Sequence, residues 1–277
     1  MYEDVLIAID GSDVSATAAT AGIELASTLE ARVHVLAVVQ DGRDDVETRR
    51  AQRTADVEDV VAEATEAGCE AEWAVRTGRP ANEILAHADE YEVDAIVVGT
   101  HGRTGFRQVL LGSVALEVIR DARQPVLTIG PEATSADERW QLDEILLATD
   151  GWPGSVAATN HALSLAESCD ATLHVLYVVA ASPDVPELQS AFREHGERAT
   201  TDVLERANAR GIEAKRTITE GSAHETILEH AGDEAIDLLV IGTESKSRLD
   251  RFVVGSVSQR VVPNVRAPVL TVRTIEP

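Results

Sequence analysis

The chain is short of several residue types at once. Its 277 residues include two cysteines, one methionine and two lysines, and only 3% are aromatic. Cys69 and Cys169 are too few for a disulfide framework or a cysteine-held metal cluster, and they fall at non-equivalent places in the two halves described below. Both read as small buried thiols in a reducing compartment. Scarce aromatics leave no stacking platform for single-stranded nucleic acid. No apolar run approaches the ~18 residues that a membrane-crossing helix needs. The amino terminus, Met1-Tyr-Glu-Asp-Val-Leu-Ile, enters an apolar strand with no basic region or cleavage site before it. A soluble, cytoplasmic protein is expected.

Positive charge is also in deficit. Lysine and arginine together number 24 against 48 acids, a net charge of −24, and the only lysines are Lys215 and Lys246. Such a surface repels nucleic-acid phosphates. Acid excess spread along the whole chain, with lysine nearly absent, reads as halophilic adaptation to high salt, where self-repulsion is screened.

What the chain does have is repetition. Val5-Leu-Ile-Ala-Ile-Asp10-Gly11 returns as Ile145-Leu-Leu-Ala-Thr-Asp150-Gly151, and Ala31-Arg-Val-His-Val-Leu-Ala-Val-Val39 returns as Ala171-Thr-Leu-His-Val-Leu-Tyr-Val-Val179. Farther on, Asp94 to Gly99 matches Asp237 to Gly242, and Pro125-Val-Leu-Thr-Ile129 matches Pro268-Val-Leu-Thr-Val272. A repeat this long is a duplicated domain rather than a solenoid unit, and the length suits two domains. The expected division is residues 1–130, a polar aperiodic linker at 131–143, and residues 144–277.

Within each half, short runs of Val, Ile and Leu alternate with longer amphipathic segments. The first half reads as strands at 5–9, 33–39, 71–76, 95–99 and 126–130, with helices at about 14–29, 47–67, 80–91 and 113–122. Near-continuous apolar strands belong to a parallel sheet covered on both faces. Alternation with helices gives a doubly wound α/β domain with right-handed crossovers.

In such sheets a ligand sits beyond the carboxyl ends of the strands. Three segments of the first half map there: Asp10-Gly11-Ser12 after the first strand, Val38 at the end of the second, and the loop from Gly99 to Ser113 after the fourth. Asp10 suits a ribose hydroxyl or a divalent cation, and equally an Asx turn or helix cap. The loop holds Gly99, Gly102, Gly105 and Gly112 and opens onto a helix at Ser113. Glycines there let backbone N–H groups converge on an anion, and the helix dipole adds attraction. Between Gly99 and Gly112 there is no acid, while His101, Arg103 and Arg107 are present. An arginine beside a phosphate bonds it bidentately; a surface role suits Arg107 equally, and His101 reads as a loop packing residue. The pattern is neither a P-loop nor G-x-G-x-x-G.

With these residues the chain resembles the universal stress protein family, whose nucleotide signature G-x2-G-x9-G-[ST] stands intact as Gly99, Gly102, Gly112 and Ser113. Asp10-Gly11-Ser12, Gly78-Arg79-Pro80 and the strand Pro125-Val-Leu-Thr-Ile129 also match, and the resemblance covers the whole chain as two tandem domains. It implies five-stranded parallel sheets ordered 3-2-1-4-5, the adenine-nucleotide alpha-hydrolase-like architecture. It also implies ATP, alone or with Mg2+ or Mn2+. Adenine would lie near Val38, ribose near Asp10 with Gly11 and Ser12, and phosphates on Gly102, Gly112 and Ser113 within reach of Arg103. The final strands, Val126–Ile129 and Val269–Val272, would pair antiparallel as an internal pseudo-twofold dimer; a homodimer of the whole chain stays open.

The second half departs from the signature. Ser245 replaces the second glycine, Glu244 and Asp250 bring acid into the loop, Arg248 replaces Gly105, and Trp152 stands where the first half has Ser12. A non-glycine residue forced into a left-handed conformation costs ~1–2 kcal/mol, and the bulk of Trp152 would fill a vacated pocket. One competent site, in the first half, is expected. No Ser/His/Asp set, paired-carboxylate site or metal cluster emerges. The leading expectation is therefore an ATP-binding stress or regulatory protein with at most slow ATP turnover. A nucleotidyl-transferring enzyme and an interaction scaffold with a vestigial site are the alternatives.

Overall fold

The computed structural model describes residues 2–40, 45–100, 111–131, 133, 140–180, 186–243 and 255–273. The chain divides into two units, residues 1–140 and 141–277. The first runs β1 (Asp4–Ile9), α1 (Asp13–Thr28), β2 (Arg32–Val39), α2 (Val46–Glu66), β3 (Ala71–Thr77), α3 (Pro80–Glu90), β4 (Ala95–Gly99), α4 (Ser113–Asp121) and β5 (Val126–Ile129). The second runs β6 (Glu144–Ala148), α5 (Pro153–Cys169), β7 (Thr172–Val179), α6 (Pro186–Ala209), β8 (Ala214–Glu220), α7 (Ala223–Asp233), β9 (Leu238–Gly242), α8 (Ser256–Val261) and β10 (Val269–Val272). Every element boundary expected in the first half lies within one residue of its place in the structure.

Each unit carries a parallel sheet. In the first the order is β3-β2-β1-β4-β5, with Leu6 opposite His34 on one side and Ile96 on the other. The second repeats it as β8-β7-β6-β9-β10. Strand order reverses beside β1 and beside β6, which opens a crevice at their carboxyl ends. Leu6, Ile7, Leu36 and Ile96 fill the first core, and Ile145, Leu146, Leu147 and Leu173 the second. Each such side chain contributes ~1.5–3 kcal/mol by leaving water. Helix α1 lays Ala18, Ala19, Ala21 and Ala26 on its sheet, small residues that bring it close.

The amino ends of the strands are pinned by repeated polar devices. Asp94 Oδ2 accepts the backbone N–H groups of Glu3 (2.7 Å) and Asp4 (3.1 Å), and Asp237 Oδ2 accepts those of Asp143 (2.9 Å) and Glu144 (2.8 Å). Beside them His34 on β2 lies 2.8 Å from Asp4 Oδ1 and 2.9 Å from Glu72 Oε1. His174 repeats the first contact with Glu144 at 2.5 Å. These groups stand at the end of the sheet opposite the candidate site.

Candidate functional site

At the carboxyl end of β1 the chain makes a short, self-bonded turn. Asp10 Oδ1 accepts hydrogen bonds from Ser12 N (3.0 Å) and Ser12 Oγ (2.6 Å), an Asx turn. Ser12 is the N-cap of α1: its Oγ accepts from Ser15 N at 3.2 Å, and Ser15 closes the capping box. Gly11 between them has φ +73°, the left-handed region. Val38 stands half-buried one residue from the end of β2, paired with Arg76 of β3. The first-strand turn and Val38 thus lie at neighbouring strand ends, as expected from the sequence.

Gly99 ends β4, and its lack of a side chain serves packing. A Cβ there would lie 3.1 Å from Val14 Cγ1 and 3.3 Å from the Val14 backbone, so glycine lets the first turn of α1 sit against the strand end. Thr100 N donates to Ile129 O (2.8 Å), and Gly112 N donates to Thr100 O (2.7 Å). That second bond returns the chain to the strand end and seats α4 there. Gly112 is the N-cap, with φ −61° and ψ 149°, no side chain caps the helix, and no acid stands in its first turn. Ser113, the first helical residue, is exposed. With no side-chain cap and no acid in its own first turn, this helix start offers N–H groups that suit an anion. His101, Gly102, Arg103, Gly105 and Arg107 lie outside the described residues, as do Glu244, Ser245, Arg248 and Asp250.

The second unit repeats the frame and changes its contents. Gly255 N donates to Thr243 O (2.8 Å), matching Gly112 on Thr100. Gly242 repeats the close approach of Gly99, with Gly154 O 2.5 Å from where a Cβ would stand. Helix α8, however, has 6 residues where α4 has 9. Ser258 Oγ donates to Gly242 O at 3.0 Å, where the first unit has Ala115.

At the turn after β6, Trp152 replaces Ser12 and offers no side-chain cap to α5. Trp152 is 45% exposed and stacks on His195 of α6, ring centroids 5.2 Å apart. His195 is the group that fills the space: its Nε2 and Ala199 Cβ lie 2.7 Å and 2.6 Å from where a Gly151 Cβ would stand. Its Nε2–H donates to Asp150 O at 3.0 Å, and Tyr177 of β7 meets the ring edge at 6.1 Å. Burial and the Asp150 carboxylate push the Tyr177 phenol above its ordinary range.

The corresponding place in the first unit holds Arg53 of α2, which sequence reasoning did not single out. Its side chain lies against Gly11 and pairs with Asp56. The available signal was the spacing of Arg49 and Arg53 on one helix face; nothing in the spacing said which turn that face covers. Among the described residues no group of three His, Cys, Asp or Glu side chains is placed to hold a metal ion.

Two tandem doubly wound α/β units, each with an Asp–Gly turn and a Gly–Ser helix start at the carboxyl ends of its strands, define the class. The chain belongs to the universal stress protein family, whose model matches residues 1–130 and 142–273. A universal stress protein of Methanocaldococcus jannaschii is 33% identical over 138 residues, 47% of this chain and 81% of that protein. One of Bacillus subtilis is 34% identical over 150 residues, 47% of this chain and 99% of its own length. The crystal structure of a universal stress protein from Archaeoglobus fulgidus aligns over 98% of both chains, with a TM-score of 0.73 at 21% identity, and so shares the fold.

Proposed function

We propose that the first unit binds an adenine nucleotide, ATP, and that the protein acts in stress resistance as a nucleotide-responsive regulator rather than as a fast enzyme. The observation that carries this reading is the uncapped, acid-free start of α4 at Gly112–Ser113, seated by the Thr100 bond beside the Asp10–Ser12 turn. Phosphate oxygens fit such N–H groups, and the glycine signature of the family is intact around them. Adenine then lies toward Val38 and ribose toward Asp10. Asp10 is the only carboxylate of the turn itself, and its Oδ1 accepts from Ser12. The described side chains therefore do not make a divalent-cation site on their own.

The second unit has a shorter helix and a ring stack at its turn, and we assign it no nucleotide. Strands β5 and β10, last in the order of their own units, are proposed to pair; cysteine cross-linking between them within one chain tests that. Calorimetric titration of ATP into the whole protein tests the main reading. Binding by wild type and its loss in Gly102→Ala are expected. No binding by wild type overturns the nucleotide reading, and equal binding by the variant overturns the phosphate cradle. ATP turnover measured with and without acceptor substrates separates a regulator from a nucleotidyl-transferring enzyme.

A further inference from the structure

Helix α2 turns two arginines toward the carboxyl end of the first sheet. Arg49 donates through both terminal nitrogens to Gln40 O, 3.3 Å each, just past the end of β2. Four residues on, Arg53 reaches the turn after β1. It is 7% exposed, and its Nη1 lies 2.0 Å from where a Cβ of residue 11 would stand. The guanidinium thus takes the side-chain space that Gly11 leaves empty. Asp56, one turn along α2 and 23% exposed, is its ion-pair partner.

This arrangement is costly without a reason. Like charges four apart on a helix repel, and a guanidinium taken out of water loses hydration that one partly exposed carboxylate does not fully replace. In a chain of net charge −24, an arginine nonetheless stands over the Gly11 turn and a second holds the neighbouring strand end. The second unit shows that the fold does not need a cation over this turn: Arg193 of α6 goes instead to the carboxyl end of β8, where it pairs with Glu220. At the turn itself His195 and Ala199 lie over Gly151, and no cation or carboxylate side chain is among the nearest atoms. A buried cation over the turn is therefore particular to the first unit.

We infer that Arg53 is a specificity-determining residue of the first-unit site. It faces the nucleotide from the α2 side, held in place by Asp56, and makes the site select phosphorylated over unphosphorylated adenosine. Arg49 holds the neighbouring strand end and adds positive potential. The inference rests on the nucleotide reading above. The alternative role for Arg53 is a brace that only packs against the Gly11 turn.

Titrations of ATP and of adenosine into the whole protein separate the two, with melting curves to confirm folding. Arg53→Met is expected to weaken ATP by about tenfold, the value of one charge-assisted bond, and to leave adenosine unchanged. Arg53→Lys keeps the charge without the fork and falls between. Asp56→Asn loosens the hold on Arg53 and is expected to weaken ATP by less than Arg53→Met does, while adenosine stays put. If Arg53→Met fails to fold, the other two variants decide by the same ratio of ATP to adenosine affinity. An unchanged ratio across the variants overturns the inference and leaves the nucleotide reading standing. Wild type that binds neither ligand overturns both.

Discussion

His87 of α3 shows how much one side chain's surroundings decide. It is 2% exposed, and neither ring nitrogen has a hydrogen-bond partner among the described residues. Tyr91 stacks on it at 4.3 Å, and His34 meets it at 5.9 Å. Burial pushes its pKa down to about 4, with Arg76 and His34 acting the same way and Glu90 opposing. An unfolded histidine binds its proton near pH 6.5. Between those values the unfolded chain therefore binds more protons, and stability falls as pH drops from about 6.5 towards 4. The full effect is about 3 kcal/mol. His87→Phe is expected to be more stable than wild type at pH 4.5, with most of that gain gone at pH 8; urea unfolding at both values measures it. An equal effect at the two pH values would show that packing, not protonation, is at issue. Gly11 makes a second residue-level case. Gly11→Ala is strained both by its φ of +73° and by Arg53 in the Cβ space, whereas Gly68, with φ +89°, has open space around it. Gly68→Ala should cost the backbone term alone, ~1–2 kcal/mol. Gly11→Ala should lose clearly more in the same denaturation experiment.

Single acids hold whole strands in register at the element scale. Asp94 ties two backbone N–H groups at the head of β1 to the segment that enters β4. Asp94→Ala leaves both N–H groups without that acceptor and is expected to destabilise by ~1–3 kcal/mol. Asp94→Asn keeps a carbonyl acceptor and should lose less, read by urea midpoint. The elements themselves were legible because each strand is a short apolar run and each helix a longer periodic one, and because strand segments of the first half recur in the second. Ser12 and Pro80 stand at the starts of α1 and α3, where helix-start chemistry favours them. The site was half legible. The turn at Asp10 and the helix start at Gly112 follow from local order along the chain. Arg53 over Gly11 and His195 over Gly151 do not, because they depend on how α2 and α6 settle on a turn about forty residues earlier. Trp152 was visible as bulk at the turn; its stacking partner His195 comes from another helix and was not.

For the molecule as a whole, duplication left the frame of each unit in place and let the contents diverge. Both keep the Asp–Gly turn, the close glycine at the end of β4 or β9, and the Gly–Ser helix start. One lines the turn with a buried cation, the other with stacked rings. The acid excess spans both units and is a property of the surface. With 24 basic residues for 48 acids, pairs such as Arg79–Glu117 at 3.5 Å and Arg210–Glu167 at 3.4 Å leave many acids without a basic partner. Exposed pairs of this kind contribute ~0–1 kcal/mol each, so they do not offset the repulsion of the remainder. Salt does. The screening length shrinks from ~10 Å at 0.1 M to ~3 Å at 1 M, below the spacing of most surface charges. The melting temperature is therefore expected to rise steadily with KCl from 0.1 M to 2 M, and to rise similarly with NaCl because screening depends on ionic strength. Acidification towards pH 5 at low salt should reproduce part of the gain in a His87→Phe, His230→Phe background, where the two histidines that burial holds below their ordinary range are removed. A melting temperature that stays flat across this salt range would show that the acidic surface is not an adaptation to high salt.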